Sequence, residues 1–365
     1  MIKPDYNNSL ISITGSILKY YGINCENTVK ILDDYLHKYK PKHVILMLID
    51  GMGINIMNKH LNQDDLLYKN LKTSLSSVFP PTTVAATNAL LSGKAPYESG
   101  YVGWMQYNKI DQSHTMIFLN EDFYDPTKNL TVHMMRDVLP YDNLLEKING
   151  IAPSIHTEKI MPAFAVGGYQ TFDEQLDRAL MITKGRPSFS YLYYDQPDSY
   201  IHKYGTKSQK ITEVLKDINA SYERFLSEVD DDVLVITIAD HGLIDIEMFF
   251  IHDYPDFIDT LRMMPALESR CGAFYLKDGM ENTFKTLFNK YFQPGFKLLS
   301  KEAFYKTELL GSGLKHPHLD EFIGDFMAIS VSNKAIHYLR DQGHKAHHAG
   351  LTKEELEIPL IVNKR

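Results

Sequence analysis

Three uninterrupted apolar runs dominate the hydrophobic pattern of the chain, and amphipathic segments separate them. The apolar runs are HVILMLID (43–50), FSYLYYDQPD (189–198) and DVLVITIADHG (232–242). The segments TFDEQLDRALMITKG (171–185) and SQKITEVLKDINASYERFLSEVD (208–230) have helical spacing. Near-continuous Val, Ile and Leu strands that alternate with helices are typical of sheets buried on both faces. The pattern therefore predicts an α/β fold with a mostly parallel central sheet and helices on both faces.

The pattern changes in the last third of the chain. Residues 271–313 have the pattern of strand, helix, strand and helix, which predicts a small inserted α+β cap over residues 254–317. The main domain would then comprise residues 1–253 and 318–365. The apolar run DFMAISVS (325–332) is expected to return the chain to the main sheet.

Each of the three long apolar runs ends in side chains that bind cations well. Asp50 ends the first run, Asp195 and Asp198 end the second, and Asp240-His241 end the third. A single carboxylate after a strand could equally be the N-cap of a helix. Because the carboxyl ends of parallel strands meet at one edge of a sheet, three such ends predict convergence on a cation.

Histidines extend this candidate metal site. Asp198 and His202 are spaced i,i+4, so on a helix they lie on one face about one turn apart, although a surface pair would have the same spacing. Gly242 after Asp240-His241 permits a turn that aims both side chains at one ion, while a capping Asp and a packed His are the alternative. A later stretch, interpreted as either a metal loop or a solvated loop, contains His344, His347 and His348.

The net charge and the cysteine content argue against several classes of function and of metal site. The 365-residue chain has a net charge of -8, which argues against a general nucleic-acid binder. Its two cysteines, Cys25 and Cys271, lie far apart in the sequence, so neither a disulfide framework nor a cysteine zinc site is expected. Mixed Asp and His ligation suits zinc, with manganese also tolerated, and the candidate ligands suffice for two ions.

Two further features bear on the location of the protein. No apolar run reaches the roughly 18 residues that suggest a membrane span, and the N-terminal segment lacks the pattern of a signal peptide. We therefore expect a cytoplasmic protein without a membrane partner. The sequence leaves the oligomeric state open.

The stretch SVFPPTTVAATNALLSG (77–93) contains two adjacent threonines that fit two interpretations. Thr82 and Thr83 follow two prolines and precede a small-residue segment that is typical of a helix. Both residues suit a helix start, and a threonine hydroxyl bound to a metal would also be a strong nucleophile. The residue types alone do not separate the two interpretations.

Five motifs occur in the order found in the alkaline phosphatase superfamily, and the chain resembles its type I phosphodiesterase/nucleotide pyrophosphatase branch. They are LIDGMG (48–53), FPPTTVAATNALLSGKAPYESG (79–100), QPDSYIHKYG (196–205), ADHG (239–242) and HHAGLTKEELEIPLIV (347–362). The resemblance implies hydrolysis of phosphodiester or pyrophosphate bonds through a phospho-threonine intermediate at a two-metal site. The implied substrate is a small-molecule phosphodiester or a nucleotide, not a nucleic-acid polymer.

The same resemblance implies the roles of the site residues. A Phe-Pro pair before Thr83 and a Ser-Gly pair after it match the frame around the family's nucleophile, whereas Thr82 lies at a position that the family does not use for chemistry. The resemblance implies one metal held by Asp50, Thr83, Asp240 and His241, and a second held by Asp198, His202 and His348. His348 fits the family's H-x-G-L frame, and His347 is the neighbouring alternative.

Trp104 marks a departure from that branch. Many members carry an Asn at the corresponding position, where it helps to hold the phosphoryl oxygen. Trp104 could instead stack on a base or line the substrate pocket, with ordinary packing as the alternative. Backbone N–H groups at the helix start after Pro81 could do part of the work of the missing Asn.

The same site residues are compatible with related reactions. Phosphomonoester hydrolysis, phosphonate cleavage and phosphomutase transfer are the alternatives to diester hydrolysis. A metal-binding scaffold without activity is disfavoured, because neither the nucleophile nor any ligand position is missing.

Overall fold

The computed structural model describes residues 2–341 and 343–364. Its strands are β1 (His43–Ile49), β2 (Leu71–Ser76), β3 (Met105–Asn108), β4 (Ser113–Met116), β5 (Glu121–Asp122), β6 (His156–Ile160), β7 (Ser188–Tyr194), β8 (Val233–Ile238), β9 (Ile244–Asp245), β10 (Glu247–Phe250), β11 (Leu261–Glu268), β12 (Cys271–Leu276), β13 (Phe296–Ser300), β14 (Phe326–Ser330), β15 (Lys334–His337), β16 (Ala346–His347) and β17 (Glu357–Lys364). Its α-helices are α1 (Leu10–Tyr20), α2 (Lys30–Tyr39), α3 (Ile54–His60), α4 (Leu66–Lys69), α5 (Thr83–Ser92), α6 (Pro96–Ser99), α7 (Leu144–Ile151), α8 (Phe172–Thr183), α9 (Asp198–Tyr204), α10 (Gln209–Glu228), α11 (Pro255–Ile258), α12 (Glu281–Phe292), α13 (Lys301–Tyr305), α14 (Leu319–Ile323) and α15 (Lys353–Leu356). A π-helical turn spans Met134–Val138 and a 3₁₀ turn spans Ile251–Asp253.

The main sheet carries the strands that the apolar runs predict. Within the described residues its strand order is β2-β17-β8-β1-β7-β6. The strands β6, β7, β1 and β8 are parallel, whereas β17 is antiparallel to both β8 and β2. Every residue of β1 and β8 is buried, so both faces of the sheet are covered. The sheet is mixed, and the expectation of a mostly parallel sheet is met only in part because β17 runs in the opposite direction.

The helices that cover the main sheet form two packed groups. Helix α1 contacts α2, α5 and α7, while α10 contacts α3, α4, α8 and α9. The sequence of helix α10 explains its packing, because apolar residues at helical spacing, such as Ile211, Leu215 and Ile218, form its buried face. The Ser208 hydroxyl caps its first turn by accepting a hydrogen bond from Lys210. Among the described helices, none has the length and hydropathy needed to cross a bilayer.

A second, antiparallel sheet contains the strands of the predicted cap and several others. Its order is β13-β14-β12-β11-β3-β4-β5 among the described strands. The predicted succession of strand, helix, strand and helix over residues 271–313 is confirmed as β12, α12, β13 and α13. The cap boundary at 254–317 stays a prediction, since the sheet also takes strands from residues 105–122 and 326–330.

Strand β14 corrects one expectation about the chain path. The run DFMAISVS (325–332) was expected to join the main sheet, but β14 pairs with β12 and β13 of the second sheet. All residues of β14 are buried. A strand buried on both faces has the same apolar sequence pattern in either sheet, so the pattern could not choose between them.

One buried apolar cluster joins the second sheet to the start of helix α5. It packs Phe79 and Val84, which flank the two threonines, against residues that include Leu267 and Leu351. A separate, phenylalanine-rich cluster fills the opposite side of the second sheet around Phe274. The second sheet is thus packed directly against the segment that carries the candidate nucleophile.

Candidate active site

The edge of the main sheet where β1, β7 and β8 end carries most of the candidate residues. Asp50 directly follows β1, Asp198 begins α9 shortly after β7, and Asp240-His241 come shortly after β8. Because β1 pairs in parallel with both β7 and β8, these three ends lie side by side. The structure therefore brings together the carboxylates that the sequence pattern singled out.

Asp50, Asp240 and His241 form a compact group, here termed the Asp50 cluster, with one potential ligand atom of each within 4.8 Å of the others. His241 Nε2 lies 3.6 Å from Asp50 Oδ1 and 3.4 Å from Asp240 Oδ2. The second oxygen of Asp240, Oδ1, accepts hydrogen bonds from the backbone N–H groups of Gly51 at 3.0 Å and His241 at 2.9 Å. The Tyr193 hydroxyl donates to Asp50 Oδ2. Backbone and tyrosine donors therefore fix the orientation of both carboxylates.

Asp198, His202 and His348 form the Asp198 cluster, whose potential ligand atoms also lie within 4.8 Å of one another. His202 Nε2 is 3.3 Å from Asp198 Oδ2, one helical turn away on α9. His202 Nδ1 lies 2.8 Å from the carbonyl oxygen of Ala346, an acceptor that places the ring proton on Nδ1 and leaves Nε2 free to bind a cation. The ring of His348 stacks on that of His241 with centroids 3.9 Å apart, which joins the two clusters.

Thr83 and Thr82 contact different partners. Thr83 is the first residue of α5, and its Oγ1 lies 3.2 Å from His241 Nε2 and 3.4 Å from Asp50 Oδ2. Thr82 occupies the N-cap in extended conformation, but its hydroxyl does not cap the helix. It donates instead to Glu268 Oε1 at 2.6 Å. Of the two threonines, Thr83 is the one whose hydroxyl contacts the Asp50 cluster.

The donor set of the two clusters fits divalent cations. Each of the three carboxylates has one buried oxygen without a hydrogen-bond partner, namely Asp50 Oδ1, Asp198 Oδ1 and Asp240 Oδ2. Leaving such acceptors unpaired is costly unless a cation satisfies them. Asp and His donors without cysteine suit zinc or a similar metal.

The electrostatics of the carboxylates also favour a bound cation. Burial, followed by the charges of Asp240 and Asp198, raises the pKa of Asp50 well above its usual range. Burial also works to raise the pKa of Asp198, but the neighbouring His202 outweighs it and the pKa is lowered. Carboxylates packed this closely repel one another, and bound positive charge would relieve that repulsion.

Two further histidines lie beside the Asp198 cluster. His344 and His347 have ring centroids 4.6 and 4.8 Å from that of His202, and the three form another group of potential ligands. The sequence left open the choice between His347 and His348. The structure groups His348 with Asp198 and His202, whereas His347 groups with His202 and His344.

Glu268, at the end of β11, is a buried residue beside the candidate nucleophile, and the sequence motifs did not indicate it. Its Oε1 accepts hydrogen bonds from the Thr82 hydroxyl and from the backbone N–H of Trp104 at 2.7 Å. Burial raises the pKa of Glu268 to about 7, although these hydrogen bonds oppose the shift. The only signal in the sequence was an acidic residue that ends an apolar strand. Glu268 links the second sheet to the start of α5 and to Trp104.

A buried ion pair orients the segment that carries His348. The Arg270 guanidinium binds both carboxylate oxygens of Glu355 at 2.7 and 2.8 Å, and both side chains are fully buried. Glu355 Oε1 also accepts the N–H of Gly350 at 2.7 Å. The N–H of Ala349 donates to the carbonyl oxygen of Pro81 at 2.9 Å. The His348 segment is therefore fixed both to the second sheet and to the turn before Thr83.

Two cavities meet at Thr83. The larger, of about 640 Å³, is mostly apolar and is lined by aromatic side chains that include Trp104, Phe118, Phe164 and Tyr193. The smaller, of about 320 Å³, contains the histidines of the 337–348 segment and Glu268. Trp104 lines both cavities and packs edge-to-face on Phe118 with centroids 6.0 Å apart. It therefore lies where a substrate contact was predicted, although its role stays a prediction.

Residues 44–350 match the sequence model of a family described as type I phosphodiesterase / nucleotide pyrophosphatase. This match covers most of the chain and confirms the resemblance inferred from the motifs. A search of curated proteins found no match.

Solved structures show the same fold. The chain is similar to murine ectonucleotide pyrophosphatase / phosphodiesterase 5, with a TM-score of 0.65, 15% identity and 87% of each chain covered. The human protein of that name gives a TM-score of 0.65 and 15% identity over 88% of this chain and 87% of that one. An inactive threonine-to-alanine variant of the murine protein, in complex with AMP, gives a TM-score of 0.64 and 14% identity over 87% of each chain.

Proposed function

The chain belongs to the type I phosphodiesterase / nucleotide pyrophosphatase family and is a phosphodiester hydrolase, and we propose that it hydrolyses a small phosphodiester or a nucleotide through Thr83 at a two-metal site. The main support is the position of Thr83 Oγ1, 3.2 Å from His241 Nε2 and 3.4 Å from Asp50 Oδ2, where two cavities meet. The AMP complex of the murine relative supports a nucleotide-sized substrate.

The two clusters supply the proposed ligands. Asp50, Asp240 and His241, together with Thr83, would hold one ion, and Asp198, His202 and His348 would hold the second. Bound divalent cations would supply positive charge to the attacking and leaving oxygens of an in-line displacement at phosphorus. We propose zinc on the basis of the Asp and His donors, with manganese as the alternative.

The reaction proceeds in two displacements in this proposal. Thr83 Oγ1 loses its proton and attacks phosphorus, the bond from phosphorus to the leaving oxygen breaks, the leaving oxygen takes up a proton, and a phospho-threonine forms. Water then attacks the same phosphorus, the bond to Thr83 Oγ1 breaks, and the hydroxyl is restored. The first-turn N–H groups of α5 lack intrahelical acceptors and can bind a phosphoryl oxygen in place of the missing Asn.

Wild type, Thr83→Ala and Thr82→Ala provide the test. Metal content is measured first, followed by turnover of bis(4-nitrophenyl) phosphate and 4-nitrophenyl phosphate. We expect two metals per chain in the wild type, preference for the diester, and loss of turnover in Thr83→Ala with an unchanged circular dichroism spectrum. Full activity of Thr83→Ala, or loss of activity only in Thr82→Ala, would refute the assignment of the nucleophile. The cytoplasmic location stays a prediction.

A further inference from the structure

Among the described residues, one basic side chain lines the larger cavity beside Thr83. Its walls are mostly aromatic and apolar, and the acidic residues that line it are Asp50, Asp195 and Asp198 at the sheet edge. Lys159 is the cation among the lining residues. A lone lysine in an apolar pocket is a feature that fixes ligand orientation, because it is one of few polar groups there.

The strand register places Lys159 well behind the reacting hydroxyl. Lys159 lies on β6 opposite Tyr191 of β7, which lines the same cavity. Asp50 follows Ile49, which pairs with Tyr194, so Asp50 is four rows further along the strands. At roughly 3.3 Å per residue, the backbone of Lys159 lies about 13 Å from the row of Asp50. Successive side chains on a strand point to opposite faces of the sheet. The neighbouring Glu158 binds Arg178 on one face, so Lys159 lies on the other face, where it lines the cavity.

No carboxylate neutralises Lys159 within the part of the chain that the structure describes. The acid that acts on it most is Glu146, and the Glu146 carboxylate already accepts a hydrogen bond from the N–H of Asn143 at 2.8 Å. The Lys159 side chain is exposed to solvent, so an anion that enters the cavity can reach its ammonium group.

We propose that Lys159 binds an anionic oxygen group on the organic substituent of the substrate. The inference rests on the proposed function and adds a substrate class to it. The substrates would be phosphodiesters or pyrophosphates with an aromatic or apolar body in the cavity and a second negative charge about 10 Å from the reacting phosphorus. Neutral substrates of the same shape would lack the contact to Lys159.

A matched pair of stable ligands tests the proposal without turnover. The two ligands are the phosphonate monomethyl esters of 4′-carboxybiphenyl-4-ylphosphonic acid and of its 4′-carboxamide. They differ in charge only at the end away from phosphorus. Isothermal titration of the metal-loaded wild type should show the carboxylate binding about tenfold tighter, the effect of one charge-assisted contact. Lys159→Met should remove the preference and Lys159→Arg should keep it. Lys184→Met, at an exposed lysine paired with Asp230, is the control that should keep it too.

Several results would overturn the proposal. They are equal binding of the two ligands by the wild type, no binding of either, and an unchanged preference in Lys159→Met. Strand β6 is the edge of the main sheet, and lysine on an edge strand also prevents pairing between molecules. If Lys159→Met oligomerises while it keeps the preference, Lys159 protects the edge and does not bind substrate.

A different experiment tests the proposed function. It measures turnover of 4′-carboxybiphenyl-4-yl methyl phosphate, the hydrolysable diester of the same shape. If the wild type prefers the charged phosphonate but never hydrolyses this diester, the Lys159 contact stands and the hydrolytic assignment is refuted. If this diester and its 4′-carboxamide counterpart are hydrolysed at the same rate, the hydrolytic assignment stands and the Lys159 proposal is refuted.

Discussion

The Asp50 cluster and the Asp198 cluster lie at the same edge of the main sheet, but different kinds of segment carry them. Asp50, Asp240 and His241 follow adjacent central strands, and their side chains are 4%, 0% and 0% exposed. Asp198 and His202 belong to a helix of seven residues, and their side chains are 15% and 14% exposed. The Asp50 cluster is therefore almost fully buried, whereas solvent reaches Asp198 and His202 more readily.

The difference extends to the neighbours of the ligands. In the Asp50 cluster, backbone N–H groups and the Tyr193 hydroxyl fix the carboxylates. In the Asp198 cluster, His344 and His347 offer additional nitrogens within reach of His202. In the proposed two-metal site, the Asp50 cluster therefore offers one set of ligands, whereas the Asp198 cluster offers alternative nitrogens. Substitutions in the two clusters should accordingly differ in severity.

The largest effect is expected for Asp240→Asn. The amide can keep Oδ1 as the acceptor for the N–H groups of Gly51 and His241, but it replaces the free Oδ2 with an NH₂ group that repels a cation. We expect turnover to fall more than about 100-fold, which exceeds the loss typical of residues that only orient a metal ligand. Steady-state kinetics with metal analysis measures this. Asp195→Asn, at the same sheet edge but outside both clusters, is the control, and an equal loss there would contradict the assignment.

A smaller effect is expected for His348→Ala, because His347 can partly replace the lost nitrogen. Turnover should fall between about 10-fold and 100-fold, and the metal content should drop by less than one ion per chain at saturating zinc. His347→Ala should change turnover much less. The reverse order of severity would show that His347 is the ligand and that the grouping of His348 with Asp198 is wrong.

Tyr193→Phe tests how much the neighbours of the Asp50 cluster contribute. Loss of the hydroxyl removes a hydrogen bond from Asp50 Oδ2, so affinity for the first ion should fall about tenfold. The measurement is the chelator concentration that removes half of the tightly bound metal. Tyr222→Phe, which loses a buried hydroxyl near Thr237 away from the site, should have no effect on it.

A moderate effect on turnover is expected for Glu268, which acts on Thr83 through Thr82. Glu268→Ala removes an acceptor for two hydrogen bonds, and at about 1 kcal/mol for each bond the turnover number should fall roughly 5-fold to 30-fold. Glu268→Gln keeps the acceptor oxygen and should restore most of the activity. Equal defects in both variants would mean that the charge, not the positioning, is what matters.

The Asp50 cluster was accessible to sequence analysis because its residues directly follow apolar strands. Parallel pairing of β1, β7 and β8 then brings Asp50, Asp198 and Asp240 to one edge with no further information. The His348 segment is harder, since backbone contacts to Pro81 and to Glu355 orient it and no local pattern reveals such contacts. The choice between His347 and His348 therefore stays a prediction, which the comparison of His348→Ala with His347→Ala tests.

The second sheet was only partly predictable for a related reason. Strands β3 and β4 have four residues each and no continuous apolar run, so the pairing of β3 with β11 and with β4 leaves no clear pattern. Glu268 depends on that pairing, because its contacts to Thr82 and Trp104 join segments that are more than 150 residues apart. Side chains that act across such sequence distances are invisible to periodicity.

Strand β17 has a consequence for synthesis of the chain. It lies between β8 and β2, yet it is made more than a hundred residues after β8. Until it emerges from the ribosome, β8 presents an unpaired apolar edge next to the Asp240-His241 turn. Contacts that close over such sequence distances form slowly, and exposed edges recruit other strands meanwhile. Recombinant expression at low temperature or with added chaperones should therefore raise the soluble yield of this enzyme.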